Sequence, residues 1–273
     1  MMVLGQLVLL AKYLGSSAIT NPDVMKTAIC IAMLAAYTLS HVNSLSAQSV
    51  PARRHIIVDV AHGQRFYDDP ATTKGNDIAP VERVKYMTGE IEKNASSLNA
   101  DVSYQKNSIT PKDLAKCDLL FIHVPTSKFS REEIEAIQQY LHKGGALFLV
   151  MDEDYWSTLA QTNVNDIVSP YGIAYKDNSA DSTTGGYTKA GLVTDKQLSI
   201  PYHGARVIEG GAPFCFSKQM KDQPFGIYKG LKEGGKIIAM GDGMVSLYMT
   251  KWAGVDNYQC AEFMQSAFAW LLK

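Results

Sequence analysis

The chain has 273 residues and a formal net charge of −1, with 19% charged and 46% hydrophobic residues. Nucleic-acid affinity comes mainly from clustered Lys and Arg, and no such cluster is present, so the sequence excludes a general phosphate-backbone binder. The cysteines after residue 47, Cys117, Cys215 and Cys260, match no zinc-module spacing. No Gly-rich stretch resembles a phosphate-binding loop. The sequence therefore predicts no nucleic-acid partner, no nucleotide, no metal and no cofactor.

The start of the chain carries the pattern of an export signal. Met25-Lys26 precedes an apolar stretch over residues 28–39, and a polar segment of small residues follows over 40–48. That order is typical of a signal peptide. We therefore predict cleavage after Ala47 and a periplasmic or secreted protein.

This interpretation divides the chain into three parts. Residues 1–24 are interpreted as an upstream start-site extension, residues 25–47 as the signal peptide, and residues 48–273 as a single α/β domain. An uncleaved anchor is the alternative, but the apolar run is short for a hydrocarbon core of about 30 Å. We expect no membrane span after cleavage.

Short apolar strands alternate with amphipathic helices after the predicted cleavage site. The segment HIIVDVA at 55–61 predicts the first strand, and apolar residues at helical spacing predict a helix over 78–98. Further strands are predicted at 102–104, 119–124, 146–151, 206–209 and 236–240, and further helices at 110–113, 130–142, 163–169 and 256–272. A polar, glycine-rich loop is expected over 177–191. Apolar strands alternating with helices require a parallel sheet covered on both faces, so we predict a Rossmann-like α/β fold.

From Asp118 onward the sequence resembles the GIFT domain family, which GldG-type gliding proteins share with an intraflagellar transport subunit. The blocks that carry the resemblance are DLLFIHVPTSKFSREEIEAIQQYLHKGGALFLVMDED, TNVNDIVSPYGI, GGKIIAMGDGMVSLYM, WAGVDN and FAWLL. The family belongs to a group whose fold is similar to class I glutamine amidotransferases. The resemblance implies a mostly parallel sheet with helices on both faces and a ligand side at the carboxyl ends of its strands.

The enzymes of that wider group place a nucleophilic Cys on the turn after a central strand. Here the matching turn, after residues 146–151, reads Asp152-Glu153-Asp154-Tyr155-Trp156 and contains no thiol. The resemblance therefore argues against thiol-based glutamine hydrolysis. The family's transport and gliding members are regarded as scaffolds, which implies a non-catalytic alternative.

Histidine, tyrosine, arginine and acidic residues fall where the predicted strands reach their carboxyl edge. Such residues suit acid/base chemistry on a polar substrate. The candidate catalytic residues are His62, His123, Tyr67 and His203. The candidate substrate-binding residues are Arg65, Tyr155, Trp156, Tyr187 and Lys189.

For an exported protein with these residues, β-elimination from uronate-containing oligosaccharides is the first functional hypothesis. A carbon-oxygen lyase or dehydratase of this kind needs a cation for the substrate carboxylate, a base and an acid. Arg65 is the candidate cation, His123 or His62 the base, and Tyr67 or Tyr187 the acid. The biological setting would be polysaccharide degradation, with an oligosaccharide as the substrate or ligand.

Two alternatives remain open. The first is a non-catalytic sugar-binding or envelope assembly module of the GIFT type, with Tyr155, Trp156 and Tyr187 as stacking platforms. The second is a metal-dependent hydrolase using His62 or His123 with the acidic turn, although no close pair of histidines supports it. Catalysis predicts that the strand-end histidines cluster within about 8 Å around a cleft, whereas burial against apolar walls favours the binding module.

Overall fold

The computed structural model describes Asp23 and residues 52–64, 66–71, 78–180, 184–219, 223–251 and 257–273. The chain divides into two units, Met1–Ala52 and Arg53–Lys273, and the elements below belong to the second unit. Apart from Asp23, the predicted extension lies outside the described residues, as do the predicted signal peptide, the cleavage site and Arg65. Among those described, no helix has the length and apolar character needed to span a membrane.

The described strands and helices alternate along the first half of this unit. The strands are β1 (Arg54–Asp59), β2 (Ala100–Gln105), β3 (Leu119–His123), β4 (Ala146–Val150), β5 (Ala174–Asn178), β6 (Thr184–Thr188), β7 (Ser199–His203), β8 (Arg206–Glu209), β9 (Ala212–Ser217), β10 (Pro224–Gly230) and β11 (Lys236–Met240). The α-helices are α1 (Ile78–Ser97), α2 (Pro111–Leu114), α3 (Arg131–His142), α4 (Val164–Val168) and α5 (Cys260–Leu271). The helix over residues 169–171 is a 3-10 turn that continues α4.

The strands of the described residues form a nine-stranded sheet in the order β2-β1-β3-β4-β11-β10-β9-β6-β7. The first five of these strands pair in parallel, as a Rossmann-like fold requires. The remaining pairings are antiparallel and extend the sheet beyond the predicted parallel part. β5 and β8 form a separate antiparallel pair. The predicted α/β class is confirmed, with a mixed sheet.

Both faces of the central parallel strands β1, β3, β4 and β11 are buried, which explains why these strands are rich in apolar residues. Ile56, Phe121 and Phe148 pack in one core together with buried residues of α1 and α5. Their neighbours on the strands, such as Leu120 and Leu147, point the other way and pack with α3 and α4. Successive side chains of a strand alternate between faces, so each strand contributes to both cores.

The segment 177–191, expected to be a glycine-rich loop, contains the end of β5 and all of β6. β6 pairs with β7 on one side and with β9 on the other. A Cβ atom added to Gly186 would lie 2.9 Å from the carbonyl oxygen of Phe216, so glycine permits this close approach of two strands. The loop prediction was wrong because glycine is depleted in ordinary strands.

The predicted boundaries of α3 agree with the structure, whereas α5 begins later than predicted. Ser130 caps α3, and its side chain accepts a hydrogen bond from the Glu133 backbone in the predicted capping box. The last helix begins at Cys260, whereas residues 257–259 of the predicted helix precede it in non-helical conformation. Because α5 packs beside α1, the end of the chain closes one face of the sheet.

Candidate functional site

The carboxyl ends of the parallel strands meet at one edge of the sheet, as the sequence predicted for the ligand side. The register aligns His123 at the end of β3 with Val150 at the end of β4, and Val150 with Met240 at the end of β11. The residues that follow β4 and β11 therefore emerge beside His123. Buried polar side chains at or just beyond these strand ends are Asp59, His62, His123, Asp152 and Asp242.

His62 lies between two carboxylates and is only 5% exposed. Its Nδ1 lies 2.9 Å from Asp59 Oδ2, and its Nε2 lies 3.3 Å from Glu133 Oε1. The ring stacks on Phe129 with centroids 3.8 Å apart. Burial lowers the pKa of His62, but the hydrogen bond to Asp59 and the two negative charges outweigh it and raise that pKa above its ordinary value. Both ring nitrogens are thus engaged within the fold.

Glu133 links this histidine to the start of α3. Its Oε2 accepts a hydrogen bond from the Ser130 backbone N–H at 2.8 Å, and its Oε1 accepts one from the Ile109 N–H at 2.9 Å. Burial raises the pKa of Glu133, but these hydrogen bonds and the nearby His62 lower it overall. The capping box was predicted from sequence, whereas the contact with His62 was not. The histidine therefore joins the end of β1 to the start of α3.

His123 is fully buried in an aromatic environment. Its ring centroid lies 5.1 Å from that of Tyr67, 5.9 Å from Phe121 and 6.3 Å from Phe66. Within the described residues, neither ring nitrogen has a partner in hydrogen-bonding geometry. Burial lowers the pKa of His123 to about 3. The imidazole is therefore neutral near pH 7.

The remaining predicted catalytic residues hold neighbouring parts of the fold. The Tyr67 side chain is 1% exposed, and its hydroxyl donates a hydrogen bond to the Ser246 carbonyl oxygen at 2.5 Å. Burial, followed by the nearby Tyr248, raises the pKa of Tyr67 well above its ordinary value. His203 is half-buried, and its backbone N–H donates to Asp242 Oδ2 at 2.8 Å. The structure brings His123 and Tyr67 together and binds His62 separately to Asp59 and Glu133.

Two buried carboxyl groups, Asp152 and Asp242, flank the backbone of Gly243. Asp152 Oδ2 accepts a hydrogen bond from the Gly243 N–H at 3.1 Å, and Asp242 Oδ1 accepts one from the Met244 N–H at 2.7 Å. Burial is the main cause that raises the pKa of Asp152 to about 7. Burial and the charge of Asp152 raise the pKa of Asp242 well above its usual range. The two carboxyl groups therefore retain protons far above the pH at which an exposed Asp loses its own.

Gly243 allows the strand end to pass between Asp152 and His123. A Cβ atom at this position would lie 2.8 Å from Asp152 Oδ2 and 3.3 Å from His123 Nε2. Asp242 accepts a hydrogen bond from the backbone N–H two residues ahead and so holds the turn after β11. The sequence did not predict that Asp242 and Asp152 form a buried acidic pair.

Arg206 is buried at this edge of the sheet, although the sequence predicted it only as the first residue of a strand. Its side chain is 2% exposed and pairs with Asp154. The same guanidinium donates to the Ser157 carbonyl oxygen at 2.8 Å. An arginine in a short strand gives no sequence signal of burial, because most arginines are exposed. Arg206 ties the acidic turn after β4 to β8.

The predicted binding residues fall into two groups. Tyr155 is 74% exposed and meets Trp156 edge-to-face with ring centroids 4.6 Å apart. The ring centroids of Trp156 and Phe66 lie 5.7 Å apart, and this contact connects the pair to the aromatic side chains around His123. Tyr187 instead lies on β6, and Lys189 directly follows that strand.

The β6 group is organised around one buried ring. Tyr187 stacks on Phe216 with centroids 5.8 Å apart, and Lys189 Nζ lies 4.1 Å from the centroid of the same ring. The register places Tyr187 directly opposite Phe216 on β9. These contacts tie Tyr187 and Lys189 to the antiparallel part of the sheet, whereas Tyr155 and Trp156 follow β4.

The cysteines and acidic groups add no metal site among the described residues. Cys117, Cys215 and Cys260 are free thiols, and the last two are buried in the core. No group of His, Cys, Asp and Glu in the described ranges has the geometry to hold a metal ion.

Comparison with known proteins identifies the fold. The IFT52 GIFT domain matches residues 82–189. The solved mmIFT52 N-terminal domain is 18% identical with a TM-score of 0.56, covering 80% of this chain and 96% of that one. A ThuA-like protein from Bacteroides uniformis is 14% identical with a TM-score of 0.51, covering 83% of this chain and 94% of that one. The resemblance to the GIFT domain and the amidotransferase-like fold are confirmed.

The comparisons give no argument for a particular substrate. An exo-beta-1,4-mannosidase from an Opitutaceae bacterium is 12% identical with a TM-score of 0.46, covering 85% of this chain and 38% of that one. A structural likeness at this level does not bear on what the present chain binds. None of the curated proteins matches the sequence.

Proposed function

We propose that this chain is an exported, non-catalytic binding module with an oligosaccharide ligand. The match of residues 82–189 to the IFT52 GIFT domain supports the non-catalytic part of this proposal. The observation that carries the proposal is the contrast between buried candidate catalytic groups and an exposed aromatic pair. His62, His123 and Tyr67 are engaged or enclosed by the fold, whereas Tyr155 stands out from the acidic turn. Export to the periplasm or outside the cell belongs to the same proposal and rests on the signal-like segment 25–47.

The burial of the acid/base candidates argues against elimination chemistry. A general base or acid must come within hydrogen-bonding distance of the substrate proton that it transfers, or reach it through one water. The ring of His123 is enclosed by aromatic side chains, and the Tyr67 hydroxyl is occupied by the Ser246 carbonyl oxygen. The nitrogens of His62 contact Asp59 and Glu133. The Tyr67 hydroxyl and the His62 nitrogens are thus occupied by partners within the fold, and aromatic side chains surround the His123 ring.

The Tyr155-Trp156 pair has the properties of a ligand-contacting surface. Aromatic rings provide a large apolar area at low cost in side-chain entropy, and tyrosine adds a polar hydroxyl at its tip. The two rings are nearly perpendicular, with an interplanar angle of 85°. The salt bridge from Arg206 to Asp154 anchors the turn that presents them. A sugar ring packed on Tyr155 would also lie close to the acidic side chains of this turn.

The first prediction concerns catalysis. Incubation of the purified protein with a panel of uronate-containing oligosaccharides should leave the absorbance of the unsaturated-uronate band unchanged. The physical reason is the enclosure of His123 and Tyr67, which keeps a substrate away from both groups. A sustained rise in absorbance that disappears in His123→Phe would contradict the proposal and restore the lyase hypothesis.

The second prediction concerns the ligand surface. Titration with neutral and acidic oligosaccharides should change the tryptophan fluorescence, because Trp156 contacts Tyr155 directly. Tyr155→Ala should weaken this binding about tenfold, which corresponds to about 1.4 kcal/mol. Leu192→Ala removes another large exposed apolar side chain and should leave binding unchanged. Equal affinity in Tyr155→Ala would place the ligand elsewhere, and absence of binding across the panel would contradict an oligosaccharide ligand.

A further inference from the structure

A groove of about 520 Å³ lies at the opposite edge of the parallel sheet, where its strands begin. The register aligns Lys236 at the start of β11 with Ala146 at the start of β4, and Ala146 with Leu119 at the start of β3. We define the basic groove by its cationic lining residues, Arg54, Lys143, Lys236 and Lys273. The groove is thus separated from Tyr155, which follows the other end of β4.

The side chains that line the basic groove carry an excess of positive charge. Asp118 is the acidic side chain among them, and it pairs with Arg54 at 2.7 Å. Burial lowers the pKa of Lys236, and the neighbouring Lys273 and Arg54 lower it further. Lys236 Nζ donates a hydrogen bond to the Trp270 carbonyl oxygen at 3.0 Å, which fixes its position without neutralising it. Mutual repulsion of these cations would be relieved by a bound anion.

Helix ends explain only part of this charge. Lys143 and Lys273 follow the last residues of α3 and α5, where a cation interacts favourably with the negative end of the helix dipole. Arg54 lies at the start of a strand and pairs with Asp118. Lys236 also lies at the start of a strand, but its Nζ donates to the carbonyl oxygen of Trp270 in the last turn of α5. Among the described lining side chains, no carboxylate neutralises Lys143, Lys236 or Lys273.

The remaining lining of the groove is apolar. The residues that provide it include Pro111, Leu114, Leu271 and Leu272. We propose that the basic groove binds an acidic peptide segment of a partner protein, with one apolar side chain seated between its carboxylates. Charge complementarity selects the acidic residues, and the apolar lining selects the side chain between them. This site does not depend on the oligosaccharide surface around Tyr155.

The third prediction tests the groove with a defined probe. A fluorescently labelled peptide of Asp and Glu residues around one Leu should bind the protein in an anisotropy titration. The affinity should fall as salt is added, because exposed charge pairs are screened. A peptide in which Lys replaces each acidic residue should not bind. Lys143→Glu combined with Lys273→Glu should weaken binding of the acidic peptide at least tenfold.

A matched lysine controls for the overall charge of the protein. Lys128 is exposed and follows β3 at the other edge, so Lys128→Glu should leave peptide affinity nearly unchanged. The milder pair Lys143→Gln and Lys273→Gln should give a smaller loss, and thermal unfolding should show that both paired variants remain folded. Equal binding by the charge-reversed variant, or competition by an oligouronate but not by unlabelled peptide, would overturn the proposal. Loss of sugar binding in Tyr155→Ala with intact peptide binding would show that the two sites fail separately.

Discussion

Replacement of His62 by Ala is expected to lower the free energy of unfolding by about 3–5 kcal/mol, the cost of breaking a buried ion pair on one side. The histidine separates two carboxylates, Asp59 and Glu133, which are themselves buried. Without the imidazole, both negative charges remain in the interior with fewer compensating donors. Urea denaturation followed by circular dichroism would measure the loss.

Two further variants distinguish this structural role from a catalytic one. His62→Gln retains an amide donor for Asp59 and should lose less stability than His62→Ala. A double variant, His62→Leu with Glu133→Gln, removes one buried charge with its partner and should recover part of the loss. If His62→Ala were as stable as the original protein, the contacts with Asp59 and Glu133 would contribute little. His62 would then regain its place as a candidate acid or base.

The central strands of the parallel half could be predicted because they are buried on both faces. Such strands have continuous apolar sequences, and β3 and β4 are bounded by clear signals. The capping box at Ser130 and Glu133 marked the start of α3, and the apolar spacing at 78–98 marked α1. These features are local in sequence, so a reader of the sequence can recognise them without knowing the tertiary structure.

The antiparallel half could not be predicted in the same way. β6 contains two adjacent glycines, and its stability comes from pairing with the next strand, β7, on one side and with β9 on the other. Propensity therefore indicated a loop, whereas tertiary contacts determine a strand. The same limit applies to Tyr187 and Lys189, which the sequence predicted as substrate-binding residues. Their contacts with Phe216 tie them to the antiparallel half of the sheet.

The candidate site was predicted in its position but not in its contacts. Residue types at strand ends correctly indicated the edge at which His123 and Asp152 lie. Their burial depends on side chains from other elements, including Phe66 and Tyr67, and no local pattern reports it. Arg206 was missed for the same reason, since its partners come from the turn after β4.

The buried pair Asp152 and Asp242 should make the protein less stable as the pH rises. The native state raises the pKa of Asp152 to about 7 and that of Asp242 well above its ordinary value, mainly through burial. In the unfolded chain the pKa of an Asp side chain is about 3.9. The stability that these groups contribute is therefore complete below about pH 4 and is lost as the pH rises through the native-state values.

Neighbouring charged groups also affect how stability depends on pH. The neighbouring Glu153 carboxylate raises the pKa of Asp152 further, and Arg206 lowers it in part. His62 also has a raised pKa, so its contribution is lost as the pH rises above about 6.5. Glu133 acts oppositely, because its lowered pKa adds stability as the pH rises through the acid range near 4.5. Above that range Asp152, Asp242 and His62 all lose stabilising protons as the pH rises, so all three lower the free energy of unfolding.

Unfolding free energies measured from pH 5 to pH 8 should therefore decrease, by about 1.4 kcal/mol per pH unit for each proton that only the native state retains. Asp152→Asn removes one titrating group and should flatten this dependence by about one proton. The amide also replaces the oxygen that accepts from Gly243, so absolute stability should fall near pH 5 while the slope decreases. The exposed Asp195→Asn should leave the slope unchanged. An equal slope in Asp152→Asn would show that Asp152 is ionised in the native state throughout, and that the repulsion expected within the acidic pair is relieved by neighbouring groups.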